Sequence, residues 1–253
     1  RTDAACDGRA TSLDLAPVGI AKALAPGDRW TSPTLFFGVY AGDLDEAVAV
    51  QHDYHRQVLS PPLPDGFPWV QYNTWFSYLT DYDDARLRKE VDIAAELGME
   101  IFYIDAGWYL GNQANDWHFA GGLGNWRENR DKFPDGIKAF ADYVRGKGMR
   151  FGIWVEPERV DLRTATTGTW KTDWLLTHDG RYSGPDFPQD TETAWLCYGD
   201  ARAQEWAIDV IGELVDSLDV EWLKWDSNYW DVCTDPNHGH GAGDGEEAQL
   251  AGV

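Results

Sequence analysis

The chain has 253 residues, 43% of them hydrophobic, which is enough to bury a substantial core. It carries 21 Lys and Arg against 43 Asp and Glu, and this formal net charge of −22 argues against nucleic acid or an anionic membrane as a partner. No apolar run approaches the roughly 18 residues of a membrane-spanning helix, so we expect a soluble protein.

The three cysteines, Cys6, Cys197 and Cys233, are far apart and have no Cys-x-x-Cys spacing. This pattern predicts neither a disulfide framework nor a thiolate zinc site, and it favours a reducing, cytoplasmic compartment. The 14 tryptophans exceed what a core of this size requires. Because indole rings stack on the apolar faces of sugars, they favour a carbohydrate site. The alternative is that most of them are ordinary packing residues.

Residues 1 to about 60 contain short apolar runs broken by Pro and Gly, which predict strands and turns of an all-β region. One of these runs covers residues 34–40. Residues 43–59 have helical apolar spacing, and residues 60–66 are typical of a linker. We therefore expect residues 1–60 to be the end of a β-sandwich with a linker helix, and residues 61–253 to form the next domain.

From Pro68 onward, amphipathic helices alternate with short apolar strands that end in carboxylates or tryptophans. Four strands are predicted, at residues 70–75, 99–105, 149–156 and 220–226, and residues 194–198 are a candidate fifth. The helices begin near Asp83, before Ile137 and at Asp200. This alternation predicts an α/β fold with a parallel sheet. A doubly wound sheet lacks support because no Gly-rich phosphate loop follows a strand, so we favour the start of a (β/α)8 barrel.

Strand parity places Lys224 and Asp226 on one face at the end of the last predicted strand. The ammonium would favour an ionised Asp226, as a carboxylate nucleophile requires. The alternative is an ion pair that only fixes the strand. Asp105 precedes Trp108 in the same kind of position, where a carboxylate and an indole suit a sugar, although a carboxylate there is also a common helix cap.

Two histidines, His238 and His240, lie near Asp235 and Asp244 in a Gly-rich segment. A metal site is one interpretation, but the solvated loop is the favoured one. We therefore expect no metal ion and no cofactor.

Several motifs occur together in order and spacing: Tyr-Asn-Thr-Trp at 72–75, Asp-Ala-Gly-Trp at 105–108, Trp-Val-Glu-Pro-Glu at 154–158 and Lys-Trp-Asp-Ser-Asn at 224–228. Together they resemble glycoside hydrolase family 36, the melibiase-like α-galactosidases. The resemblance implies a TIM-type barrel, with Asp226 as the nucleophile, and Lys224 and Asp105 as sugar-binding residues. The other residues that it places in the substrate site are Trp75, Trp108, Trp154, Glu156 and Asn228.

Two departures from the family pattern concern sugar recognition. Ala106 stands where many members have a second acid that grips the 4- and 6-hydroxyls, and residues 190–193 lack an arginine that many members carry. The expected reaction is hydrolysis of terminal α-linked galactose, or a similar sugar, with retention. A transglycosylase with the same nucleophile and a non-catalytic carbohydrate-binding barrel remain open, as does a homo-oligomer.

Four or five strands cannot close an eight-stranded barrel, and the family resemblance implies an acid/base carboxyl beyond Val253. We therefore expect this chain to be part of a longer enzyme and to be inactive by itself. Glu156 is a poor internal substitute for the acid.

Overall fold

A computed structural model of the chain describes residues 2–6, 11–15, 21–32, 34–112, 119–164, 168–182, 192–227 and 231–252. The chain divides into two compact units, one of Leu24–Trp69 and one of Arg1–Ala23 with Val70–Val253. Residues 60–66, which have the composition of a linker, lie within the smaller unit.

Among the described residues of the Leu24–Trp69 unit, the one helix is α1, Leu44–Tyr54, which continues as a π-helical turn over His55–Leu59. Asp43 and Glu46 form a capping box at its start. The predicted helix is therefore confirmed. The strand predicted at residues 34–40 is wrong, because a strand needs a neighbour for its backbone hydrogen bonds and the described residues of this unit provide none. Two strands precede this unit, since β1, Thr2–Cys6, pairs antiparallel with β2, Thr11–Leu15.

The central feature of the larger unit is a four-stranded parallel sheet of β3, Gln71–Asn73, β4, Ile101–Ile104, β5, Arg150–Val155, and β10, Trp222–Trp225. These are the four predicted strands. They lie side by side in chain order with no reversal. A doubly wound sheet would reverse its order, whereas a wall of a barrel runs in this sequence. No closed barrel is present among the residues that the structure describes.

Helices connect the parallel strands, as the periodicity predicts. They are the short α2, Trp75–Tyr78, then α3, Asp84–Glu96, α4, Ile137–Gly146, and α5, Ala201–Leu218. Asp83 and Asp200 cap α3 and α5 through their side chains. The apolar faces of these helices pack against the sheet. For example, the ring of Phe140 on α4 lies 5.9 Å from that of Phe102 on β4.

Two small antiparallel pairs lie outside the parallel sheet. β6, Arg159–Asp161, pairs with β9, Thr193–Trp195, and β7, Thr177–His178, pairs with β8, Arg181–Tyr182. The candidate fifth strand at residues 194–198 overlaps β9 only at residues 194 and 195, and it does not extend the parallel sheet, because β9 pairs with β6. The last helix is α6, Gly245–Gly252. Among the described residues, no helix combines the length and apolar character needed to cross a bilayer.

Candidate active site

The carboxyl ends of β4, β5 and β10 bring together Asp105, Trp154, Lys224 and Asp226. Lys224 pairs in register with Trp154 across the two strands, and the backbone N–H of Asp226 donates to the carbonyl of Val155 at 2.8 Å. Parallel strands all end at one edge of a sheet, so residues far apart in sequence meet there. The predicted gathering of carboxylates and a tryptophan at this edge is what the structure contains.

Asp226 is held by contacts from two strands. Its Oδ2 accepts a hydrogen bond from Nε1 of Trp154 at 2.9 Å and lies 3.9 Å from Nζ of Lys224. Its side chain is 30% exposed. One carboxylate oxygen is thus oriented by an indole and an ammonium while part of the group remains accessible, which suits attack on a bound molecule.

Lys224 is closer to Asp105 than to Asp226. Its Nζ lies 2.8 Å from Oδ2 of Asp105, whose side chain is only 2% exposed. The other oxygen of Asp105 accepts from the N–H of Ala106 at 2.8 Å. The sequence predicted an ion pair between Lys224 and Asp226 at the end of one strand, but the shorter ion pair joins Lys224 on β10 to Asp105 at the end of β4. One ammonium therefore serves two carboxylates, one buried and one partly open.

Tyr103 lies on the same face of β4 as Asp105 and is 6% exposed. Burial, together with the charges of Asp105 and Asp226, raises the pKa of Tyr103 to about 12, although a hydrogen bond with Asn73 acts in the opposite direction. Its hydroxyl is therefore protonated at neutral pH and can donate a hydrogen bond. Parity along the strand groups Tyr103 with Asp105, but no motif assigned it a role.

The three tryptophans expected to bind substrate occupy different environments. Trp108 is fully buried and donates from Nε1 to the carbonyl of Trp154 at 2.9 Å. The ring of Trp154 is 1% exposed, so its contribution to the site is the hydrogen bond to Asp226. Trp75 is partly exposed, edge-on to Phe119 at 5.6 Å. Of these three, Trp75 alone presents an accessible ring surface. Asn228 lies outside the described residues.

Glu156 and Glu158 have separate environments although they are two residues apart. Glu156 is fully buried, and its Oε2 accepts from Nη2 of Arg159 at 2.9 Å, which makes it part of a buried ion pair. Glu158 is also buried and accepts from Nε1 of Trp225 at 2.7 Å. Burial raises the pKa of Glu158, and the neighbouring charge of Asp226 raises it further. The sequence pointed to Glu156, but Glu158 is the neighbouring acid whose pKa is raised, mainly by burial.

Lys132 supports the turn that follows Asp105. It is 5% exposed, and its Nζ donates to the carbonyls of Thr80 and Gly107 and to Oδ1 of Asn112, each at 2.8 to 2.9 Å. Gly107 has a φ of 105°, a backbone conformation that favours glycine. Lys132 and Gly107 are 25 positions apart, so this support of the Asp105 turn depends on tertiary structure.

The expectation that His238 and His240 are solvated is wrong, because both side chains are buried although the glycines beside them are exposed. His238 is 3% exposed and His240 is 8% exposed, since they pack against the buried Cys197 and Cys233. A hydrogen bond from the side chain of Cys197 lowers the pKa of Cys233. The two cysteines are 36 positions apart in the sequence numbering, so their spacing contained no signal for this cluster.

A family model described as Melibiase matches residues 29–247. The α-galactosidase Mel36A of Lactobacillus acidophilus is 28% identical over 208 residues, which cover 81% of this chain. The chain spans only 27% of the length of that relative.

Solved structures of α-galactosidases share the fold of most of this chain. The GH36 α-galactosidase AgaB of Geobacillus stearothermophilus matches 79% of this chain with 25% identity and a TM-score of 0.62, over 27% of its own length. TtGalA, an α-galactosidase of Thermus thermophilus solved with p-nitrophenyl α-D-galactopyranoside, matches 80% of this chain with 25% identity and a TM-score of 0.57, over 38% of its own length.

Proposed function

Because this chain belongs to the Melibiase family, we propose that the full-length protein is a retaining glycoside hydrolase that removes terminal α-linked galactose or a galactose-like sugar. The observation that carries the proposal is the arrangement of Asp226. Its carboxylate is partly exposed, and Trp154 and Lys224 both contact the same oxygen. A retaining glycosidase needs such an oriented carboxylate beside the anomeric carbon.

In the proposed mechanism, Asp226 attacks the anomeric carbon and forms a covalent glycosyl-enzyme, which water then hydrolyses with overall retention. Lys224 and Asp105 bind sugar hydroxyls, and their 2.8 Å ion pair holds both groups in place before substrate arrives. The acid/base carboxyl protonates the leaving oxygen, and we expect it to lie beyond Val253. Glu156 is a poor candidate for that role because it is fully buried against Arg159.

Ala106 supports altered recognition at the 4- or 6-hydroxyl of the sugar. The methyl side chain of Ala106 is buried and has no carboxylate to offer a ligand. Its backbone carbonyl is already occupied, because it accepts from the hydroxyl of Tyr82 at 3.0 Å. One fewer hydrogen-bonding group leaves room for a substituent or for a missing group. A panel of nitrophenyl α-galactoside, α-N-acetylgalactosaminide and β-L-arabinopyranoside tests this. Exclusive preference for plain α-galactoside would contradict it.

The test of the mechanism is Asp226→Ala in the full-length protein. Turnover of nitrophenyl α-galactoside should be abolished while the melting temperature stays close to that of the wild type. Azide should partly restore turnover and yield a glycosyl azide of inverted configuration, because a small anion can replace the missing nucleophile. The control is Asp216→Ala, which alters an exposed carboxylate on α5.

The anomeric configuration of the first wild-type product, followed by NMR, tests retention independently. Near wild-type turnover in Asp226→Ala would show that the nucleophile is another residue. No turnover by the wild type on any sugar of the panel, with binding retained, would favour the carbohydrate-binding alternative. Product analysis at high acceptor concentration would reveal a transglycosylase.

A further inference from the structure

Four buried side chains outside the proposed sugar site converge on one point. They are Cys197, Cys233, His238 and His240, and their ligand-type atoms all lie within 4.8 Å of one another. Sγ of Cys197 is 3.2 Å from Nε2 of His240, and Sγ of Cys233 is 3.3 Å from Nδ1 of His238. Nothing in the proposed glycosidase mechanism uses this cluster.

We propose that these four residues bind one zinc ion in a closed, tetrahedral Cys2His2 site. With Zn–S bonds of about 2.3 Å and Zn–N bonds of about 2.1 Å, a tetrahedral ion separates its sulfur and nitrogen ligands by about 3.6 Å. The observed sulfur–nitrogen distances of 3.2 and 3.3 Å are close to that spacing. Thiolate and imidazole in a four-coordinate set select zinc over the oxygen-preferring Mg²⁺ and Ca²⁺.

The second nitrogen of each imidazole is oriented as a zinc ligand requires. Nε2 of His238 lies 3.0 Å from the carbonyl of Asp173, and Nδ1 of His240 lies 2.9 Å from the carbonyl of Gly241. A carbonyl only accepts, so in a neutral imidazole each of these nitrogens carries the proton. The other nitrogen of each ring then directs a lone pair at the cysteine sulfurs, as in metal sites whose outer hydrogen bonds fix the tautomer.

Cys197 and Cys233 are both fully buried, and their sulfurs lie within 4.8 Å of each other. Two adjacent buried thiolates would repel each other, and a divalent cation neutralises both. Binding therefore exchanges two thiol protons for one Zn²⁺ with no change of oxidation state.

The position of the site indicates a structural role. Cys197 follows β9 and precedes α5, whereas the other three ligands follow β10, the strand that leads into Asp226. The ion would tie the segment after Asp226 to the segment before α5. All four positions of the tetrahedron are occupied by protein, so no open position remains for catalysis.

The experiment measures metal in the full-length protein purified without chelator from zinc-supplemented culture. Elemental analysis should find about one zinc per chain in the wild type. The zinc content should fall at least several-fold in Cys233→Ser and His240→Gln, and should be unchanged in His52→Gln, which alters an exposed histidine on α1. Cobalt added to metal-free protein should produce the intense visible bands and thiolate charge-transfer band of a tetrahedral sulfur site, and zinc should abolish them.

The wild-type measurements decide the proposal even if the ligand variants fail to fold. Wild-type protein that is folded without stoichiometric metal, and that gives no thiolate–cobalt bands, overturns it. A Cys197–Cys233 disulfide in intact protein, detected by mass spectrometry, also overturns it. The zinc proposal is judged by metal content and cobalt spectra, and glycosidase activity is not one of its readouts. The zinc site and the proposed function are therefore tested separately.

Discussion

The indole Nε1 of Trp154 donates a 2.9 Å hydrogen bond to Oδ2 of Asp226, which joins side chains at the carboxyl ends of two adjacent parallel strands. The indole is 1% exposed, whereas the carboxylate is 30% exposed. A rigid, buried donor thus orients an accessible acceptor. This kind of preorganisation places a nucleophile without conformational cost at the moment of reaction.

Trp154→Phe should lower kcat by about 10- to 100-fold, because a hydrogen bond to a charged group contributes about 1.5–3 kcal/mol. KM should change little if the bond acts mainly on the nucleophile. Steady-state kinetics on nitrophenyl α-galactoside measure both quantities. The matched control is Trp108→Phe, which removes an indole N–H from the same aromatic cluster without touching Asp226. An unchanged kcat in Trp154→Phe would show that the hydrogen bond from Trp154 to Asp226 does not contribute to catalysis.

Lys224→Met should destabilise the protein by about 2–3 kcal/mol, since it leaves the buried Asp105 carboxylate without its cation. Partial exposure of Lys224 keeps the loss below that of a fully buried pair. Adding Asp105→Asn should restore much of the stability, because a neutral amide needs no cation, but should not restore activity. Urea unfolding and kcat/KM separate the two effects. A double variant no more stable than Lys224→Met would show that the ion pair is not the source of the loss.

Glu158→Gln should raise the melting temperature at neutral pH and leave it nearly unchanged near pH 4. Burial raises the pKa of Glu158 above its usual 4.5, so above that value the folded protein retains a proton that the unfolded chain has lost. The contribution of Glu158 to the free energy of unfolding therefore falls as pH rises through the raised pKa. We expect a gain of about 2 °C or more at pH 7. Melts from pH 4 to 8 measure the difference, with Glu96→Gln on the exposed face of α3 as the control. A pH-independent difference would contradict the raised pKa.

Lys132→Met should destabilise the protein by about 3 kcal/mol, because it leaves buried oxygens of Thr80, Gly107 and Asn112 without their shared donor. Lys89→Met, on the exposed surface of α3, should leave the melting temperature within about 1 °C of the wild type. Because the Gly107 turn follows Asp105, KM should also rise in Lys132→Met. Equal melting temperatures in both variants would show that the buried ammonium adds no net stability.

Local patterns were sufficient to predict the parallel strands and their helices. Apolar spacing on α3 and α4 and the aspartate caps of α3 and α5 depend only on neighbours within a few residues. Local patterns were not sufficient for the strand predicted at residues 34–40, which does not form, or for the candidate fifth strand, which does not join the parallel sheet. A short apolar run becomes part of a sheet only if a partner strand lies beside it, and nearby residues do not specify that partner.

The sequence by itself determined that Lys224 and Asp226 share a face, that Asp105 ends an adjacent strand, and that the whole resembles one glycosidase family. The tertiary structure alone decided that Lys224 lies closer to Asp105 than to Asp226, that Trp108 is buried, and that Glu156 faces Arg159. It also brought Cys197 together with Cys233, His238 and His240. Side-chain periodicity is a property of the local backbone, whereas these contacts depend on which strands and loops become neighbours when the chain packs.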